Sequence, residues 1–359
     1  MTRLQGALIG FGNIAEFGHW PTYVKAGNCD IVAVVEPSST RQAAAKACQP
    51  AIHVYSTVEE LFRTEKLDFV DICTPPASHA ALAQRALENG CHVLCEKPLS
   101  LKVSEYEALA RESVARDKTV FTVHNWKYAP IFQKAFSLIR EGRIGPVWHV
   151  EIFTLRNTHC KGTAQGAADT AGPSEDWRTD PAIAGGGILV DHGWHAFYLL
   201  QNLVQAAPES ILAKMLRDRE NPNSLEEAVQ ALVQFPEADG YVHLTWRSKM
   251  RRNNVIVQGQ NGTLLLDDDR ILLTTHDGEK QEIAFESALS AGSHHAEWFE
   301  ALWPDFVEEV HNPAKRGANL KEAGWCLALL QAAYQSNLHG FKEMPVPFPG
   351  TVKPAEALA

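Results

Sequence analysis

The sequence predicts an α/β protein: a doubly wound parallel sheet at the N-terminus, then an α+β domain built on a large open antiparallel sheet. Three observations predict it. Short runs that are apolar throughout recur over residues 1–125, separated by helical stretches. The first run leads straight into a glycine-rich turn, Gly10-Phe11-Gly12-Asn13-Ile14-Ala15. Beyond about residue 147, apolar and polar residues alternate over longer segments joined by turn dipeptides.

The early runs are "GALIGF" (6–11), "IVAVV" (31–35), "FVDIC" (69–73), "HVLCE" (92–96) and "TVFTV" (119–123). Strands apolar on both faces suit a parallel sheet covered on both sides. Between them, 79–90 carries Ala and Leu at helical spacing and stops at Asn89-Gly90. Residues 104–117 open with Ser104 and Glu107, the pattern of a capping box. Later strands include "VWHVEIFTL" (147–155), "EAVQALVQF" (227–235) and "GYVHLTWRS" (240–248), with turns at Asp239-Gly240, Asn261-Gly262 and Asp277-Gly278. Helices are expected at 194–204, 294–311 and 320–339. The polar stretch 156–176 is long for a loop in a compact domain, and loops of that length are usually either functional or disordered. The expected division is 1–125 and 126–359.

The 359 residues are 45% hydrophobic and 21% charged, enough for about two globular domains. A net charge of −10 argues against nucleic acid as the main partner, because binding phosphates takes clustered Lys and Arg. The densest basic spot is Arg251-Arg252. Seven cysteines, with no CxxC pair, point to a reducing cytoplasmic compartment. The chain opens in a strand-like segment, so no leader is expected. No apolar run reaches the roughly 18 residues of a membrane span.

The glycine turn has the G-x-G-x-x-A form of the Rossmann dinucleotide fingerprint. Gly10 makes the tight turn, and Gly12 lets backbone and pyrophosphate approach. Ala15 lets helix and strand pack, and the N–H groups of Phe11, Asn13 and Ile14 lie where phosphate binds. Glu36 ends the second strand, 24 residues after Gly12, where a carboxylate can accept ribose hydroxyls. That favours NAD, while Arg41 nearby keeps NADP open. Thr74, Pro75, Pro76 and His79 follow the fourth strand, on the edge of the sheet where ligands bind. Glu96 and Lys97 close the fifth strand. Lys97 is placed to exchange a proton with an oxygen as hydride moves, with Glu96 orienting it.

In "GGGILVDHGWHAFYLL" (185–200), Asp191 and His195 stand four apart on one helical face, an acid and an imidazole able to hold and deprotonate a hydroxyl. His192 adjoins them. A metal on Asp191, His192 and His195 would need a further ligand such as His159 or Cys160, and none is expected. His19 or Trp20, beyond the glycine turn, is expected to line a substrate cleft, with packing between the domains as the alternative.

Gly10-x-Gly12-x-x-Ala15, Thr74-Pro75-Pro76 with His79, Glu96-Lys97-Pro98 and the segment 185–200, in this order and spacing, resemble the Gfo/Idh/MocA (glucose–fructose oxidoreductase/inositol dehydrogenase) family. The resemblance implies NAD(P)-dependent oxidation or reduction of a sugar, cyclitol or related polyol, with Lys97, Asp191 and His195 in catalysis. Asn125 and Trp126 would contact the cofactor, and Lys127 and Tyr128 the substrate, although Trp126 and Lys127 replace the two arginines usual there. Trp177-Arg178 resembles a family segment near the nicotinamide and substrate. Two alternatives stay open: a non-catalytic nucleotide-binding sensor, and elimination or hydrolysis of a glycoside with the bound cofactor recycled. A homodimer or homotetramer packed through the antiparallel sheet is expected, since an open sheet face calls for a cover.

Overall fold

In the computed structural model the described residues are 3–156, 177–218, 221 and 224–350. They divide into two units, Met1–Asn125 with His294–Ala323, and Trp126–Ser293 with Gly324–Ala359. Residues 294–323 join the first unit rather than continuing the second. The helix Ala296–His311 explains this, because Phe299, Trp303 and Phe306 recur at i, i+4 and i+7 on one face. That stripe packs edge-on against Tyr23 and Phe121 and at tilted or edge angles against Phe69.

The first unit holds strands β1 (Leu4–Ile9), β2 (Cys29–Val35), β3 (His53–Tyr55), β4 (Phe69–Ile72), β5 (His92–Cys95) and β6 (Val120–Thr122). All pairs are parallel, in the order 3-2-1-4-5-6. That is the Rossmann order, and it brings the carboxyl ends of β1, β4 and β5 side by side. The expected capping box differs in detail. The helix spans Val103–Arg116, one residue earlier, with no side-chain bond at its cap. Glu105 instead accepts the Leu101 N–H at 3.4 Å.

The second unit carries β7 (Val147–Leu155), β8 (Ser210–Leu216), β9 (Ala228–Phe235), β10 (Ala238–Thr245), β11 (Arg252–Gly259), β12 (Gly262–Asp267), β13 (Arg270–Thr275), β14 (Lys280–Ala284) and β15 (Met344–Pro345). They form one sheet in the order 14-13-12-11-7-10-9-8-15. Every pair is antiparallel except β7 with β10, which run parallel and make the sheet mixed. Alternation is strict in β9, where Val229, Ala231, Val233 and Phe235 are buried and Gln230, Leu232 and Gln234 are exposed. The helix Trp194–Val204 covers the buried face, and Gly240 makes room for it: a Cβ there would lie 2.8 Å from Leu200.

Each unit also holds a short π-helical segment that runs directly into an α-helix. Ile14–His19 precedes Trp20–Lys25, and Leu189–Gly193 precedes Trp194–Val204. Such segments are rare and gather at functional sites. Among the described residues, no helix is long and apolar enough to cross a membrane.

Candidate functional sites

The glycine turn is built as the fingerprint requires. Gly10 has φ +89°, and a Cβ there would lie 2.9 Å from the Cys73 carbonyl oxygen. Only glycine suits that backbone. A Cβ on Gly12 would meet nothing within 4 Å, which leaves the space a pyrophosphate needs. Glu36 is buried and accepts N–H groups from Phe11 (2.8 Å) and Ser38 (2.9 Å), so it fixes the turn as well as facing it. A carboxylate has about four acceptor positions, so ribose hydroxyls still find lone pairs on it. Arg41 is engaged by Glu16 at 3.1 Å and by Asn13 Oδ1. Ile14 opens the π-helical segment, and Ala15 is fully buried behind it. Phe11 contributes only its backbone, because its ring is wholly buried edge-on to Trp20.

The β4 end is stiffened by its own hydrogen bonds. Thr74 Oγ1 and Ser78 Oγ are 2.7 Å apart, and Ser78 donates to the Pro75 carbonyl at 2.8 Å. Pro76 is buried. His79, which could either mark the entry of the next helix or touch the cofactor, is the first residue of the helix His79–Glu88 and is 1% exposed. Its ring nitrogens meet the carbonyl oxygens of Thr74 (2.6 Å) and Pro98 (2.7 Å), so it ties the β4 turn to the β5 turn. Burial pulls its pKa below the usual histidine value. At the β5 end, Glu96 accepts the Lys97 backbone N–H at 3.0 Å, and the Lys97–Pro98 peptide is cis.

His19 and Trp20 do not line a cleft. Trp20 is 8% exposed and packs on Phe11. His19 is 1% exposed and stacks on Phe299 at 3.8 Å. Its Nδ1 lies 2.8 Å from Asp71 Oδ2 and its Nε2 lies 3.1 Å from Glu96 Oε1. Asp71 escaped the sequence reading, although a lone acid inside the apolar run "FVDIC" signals a buried charge that needs partners.

In the second unit Gly186 and Gly187 are closely packed. A Cβ on Gly187 would lie 2.1 Å from the Glu226 carbonyl oxygen, and one on Gly186 would lie 2.2 Å from the Tyr334 hydroxyl. The buried Glu226 carboxylate accepts N–H groups from Gly187 (2.8 Å) and Leu189 (3.2 Å), and the Tyr334 hydroxyl at 2.8 Å. This locks the start of the segment that carries Asp191, His192 and His195. His192 Nδ1 is 3.1 Å from Asp191. His195 is buried, stacked on Trp126 with ring centres 4.7 Å apart. Its Nδ1 lies 2.7 Å from the Tyr198 hydroxyl, which also accepts the Trp126 N–H at 3.1 Å. Tyr198 was missed, although it follows His195 at i+3.

Arg156 was also missed. It is buried with its guanidinium 5.8 Å from the Trp126 ring, and burial brings its pKa down to about 10. Asn125 closes the first unit and shares one helical turn with Trp126, Lys127 and Tyr128. Lys127 Nζ sits 5.6 Å from the Tyr128 ring, and Arg178 stacks over Trp177 at 4.2 Å. His159, Cys160 and nearly all of the 156–176 stretch lie outside the described residues.

Known proteins share this combination of folds. Residues 4–124 match the family model described as "Oxidoreductase family, NAD-binding Rossmann fold", and 132–265 match "GFO/IDH/MocA C-terminal domain". Oxidoreductase P35 of Formosa agariphila is 30% identical over 202 residues, 55% of this chain and 60% of that protein. Levoglucosan dehydrogenase of Pseudarthrobacter phenanthrenivorans is 26% identical over 265 residues, 66% of this chain and 64% of that one. The matched part thus spans less than two thirds of either relative. A solved levoglucosan dehydrogenase in complex with NADH superposes with a TM-score of 0.82 at 19% identity, covering 96% of this chain and all of that one. With an open fingerprint turn in one unit, a mixed nine-stranded sheet in the other and both family models matched in chain order, this protein belongs to the Gfo/Idh/MocA oxidoreductase family, and its cofactor is NAD.

Proposed function

We propose that the chain is an NAD-dependent dehydrogenase or reductase of a sugar, cyclitol or related polyol, interconverting a secondary alcohol and its ketone. The observation that carries this reading is the open space over Gly12 beside a buried carboxylate, Glu36, fixed by two backbone N–H groups. The sugar dehydrogenase among the relatives supports it. When bound, the nicotinamide supplies the hydride acceptor or donor. Glu36 takes the ribose hydroxyls, and Arg41, held by Glu16 and Asn13, leaves NAD favoured over NADP. Thr74, Pro75, Asn125 and Trp126 flank the cofactor.

In the first unit, Lys97 Nζ gives or takes the proton at the reacting oxygen. In the second, His195, braced by Tyr198 and Trp126, moves a hydroxyl proton while Asp191 holds a neighbouring hydroxyl. Lys127, Tyr128, Trp177, Arg178 and His192 supply further substrate contacts. The sheet face that carries Phe153, Tyr241 and His243, all half-buried, packs against a second copy in a homodimer or homotetramer.

The test titrates NADH and NADPH into purified protein, then follows reduced cofactor against a panel of sugars and cyclitols. Tighter NADH binding and net reduction by at least one polyol are expected. Absence of turnover with intact NADH binding would favour a nucleotide-binding sensor instead.

A further inference from the structure

We propose that His19 is a positioning residue: a buried imidazolium that holds Glu96 in place as a carboxylate and so fixes the turn presenting Lys97. The catalytic consequence rests on the dehydrogenase reading above; the electrostatic core does not.

The geometry carries the argument. Both ring nitrogens of His19 meet carboxylate oxygens, Asp71 at 2.8 Å and Glu96 at 3.1 Å, with the ring 1% exposed. A neutral imidazole has one N–H and would turn a lone pair toward one of those oxygens. The cation donates to both and offsets buried negative charge, the condition under which buried ions persist. Among the described residues hydrogen-bonded to Asp71 (His19, Tyr23 and Cys73), His19 is the one that can carry a positive charge. From β4 come Asp71 and Cys73, whose sulfur is 3.3 Å from Nδ1. Tyr23 donates to the same Asp71 oxygen at 2.7 Å. The helix Ala296–His311 offers the uncharged Phe299. Glu96 itself faces His19, the Lys97 backbone N–H and, through space, the charge of Lys97 and the ring of His79.

The acid–base balance agrees. Burial pulls His19 down, and the interactions with Asp71 and Cys73 together hold the ring well above the usual histidine value. Burial pushes Glu96 up, but the His19 hydrogen bond and charge, helped by Lys97, hold it below the usual glutamate value. Burial pushes the Cys73 thiol up to about 12, so it stays protonated. The donor atoms of His19, Asp71 and Cys73 lie within 4.8 Å of one another, a spacing that could hold a metal ion. Each of them is already in a hydrogen bond here. The π-helical segment brings this about: it begins at the fingerprint turn and ends on His19, so cofactor cradle and lysine turn are joined through one side chain.

The experiment is NMR of histidine-¹⁵N and glutamate-¹³C labelled full-length protein, with and without NADH. Both His19 nitrogens are expected protonated from about pH 6 to about pH 8, beyond the range in which an ordinary histidine has titrated. In His19→Gln the Glu96 carboxyl should titrate at higher pH than in the wild type. Asp71→Asn is a second variant, and it should lower the His19 midpoint. With any sugar that turns over, His19→Gln should keep NADH affinity within about twofold, lower kcat about tenfold or more and raise the acid limb of its pH profile. A role confined to stability would lower the melting temperature and leave that limb in place, which would overturn the proposal. So would a neutral, single-tautomer His19 near pH 7, or a Glu96 midpoint unmoved in His19→Gln. If no sugar is turned over the dehydrogenase reading fails, and the NMR result still decides the charge on His19.

Discussion

Gly12→Ala and Gly10→Ala, two substitutions of one kind two residues apart, should separate cofactor binding from folding. At Gly12 the added methyl meets no protein atom within 4 Å, and the backbone lies outside the left-handed region. Its folding cost should fall within about 0.5 kcal/mol, as for a surface change. The methyl then occupies the room the pyrophosphate needs, and crowding of that kind costs about 1–3 kcal/mol. NADH should bind about 5- to 150-fold more weakly. At Gly10 the order reverses. A φ of +89° strains an alanine by about 1–3 kcal/mol, and its Cβ would press on the Cys73 carbonyl at 2.9 Å and Thr74 Cγ2 at 3.0 Å. A total of about 2–4 kcal/mol lowers the melting temperature by about 4–16 °C at 2–4 °C per kcal/mol. NADH fluorescence titration and a thermal melt on each variant read both quantities. Wild-type NADH affinity in Gly12→Ala would refute the cradle, and a melt as low as that of Gly10→Ala would refute the open space above it.

Other residues make independent predictions. Glu36→Ala removes the proposed ribose acceptor and frees the Phe11 and Ser38 N–H groups, so NADH affinity should fall about tenfold or more and any preference over NADPH should narrow; titration with both cofactors reads it. Tyr198→Phe deletes the hydroxyl that faces His195 Nδ1 and accepts the Trp126 backbone N–H, and loss of the His195 bond alone, at about 0.5–1.5 kcal/mol, should lower kcat about 2- to 13-fold in a steady-state assay. Gly187→Ala drives a Cβ to 2.1 Å from a backbone oxygen and should destabilise the second unit by about 3 kcal/mol in a urea melt. Glu226 predicts a pH effect. Burial raises its folded pKa above the ordinary value of 4.5, so above that pH the unfolded chain holds fewer protons and stability falls until the folded pKa is passed. Glu226→Gln keeps an oxygen for Gly187, Leu189 and Tyr334 and removes the titration. Calorimetry should show the wild-type melting temperature falling relative to the variant as pH rises through that window, and parallel curves would refute the assignment.

The parts of this protein that follow local rules were legible in the sequence. Five of the six parallel strands, the glycine turn and the Lys97 turn sit on the expected elements, because run length, turn residues and spacing are local signals, whereas β3 (His53–Tyr55) is only three residues long and was not among the runs read. Long-range packing was not. The aromatic stripe at Phe299, Trp303 and Phe306 reads as a buried helical face, but nothing in it says which sheet it will cover. The parallel pairing of β7 with β10 is likewise invisible to alternation, which gives each strand its faces and not its neighbours.

The histidines show most clearly where the sequence reading stopped. His19 and His79 stand beside motif residues, and adjacency to a motif suggested contact with a ligand. Both are 1% exposed and spend both ring nitrogens on protein oxygens. For His19 the cause is the π-helical segment, whose i→i+5 bonding shifts the side chain from where an α-helical count would put it, toward Asp71 and Glu96. For His79 it is the fold topology, which sets the β4 and β5 turns next to each other so that one imidazole spans their carbonyls. His195 differs because Trp126 and Tyr198 fix its ring from one face and from Nδ1, an arrangement that aims an imidazole rather than tying two segments together. The three rings share burial, and their partners separate them: carboxylates make His19 a charged brace, carbonyls make His79 a clip, and a hydroxyl with a stacked indole sets the ring of His195.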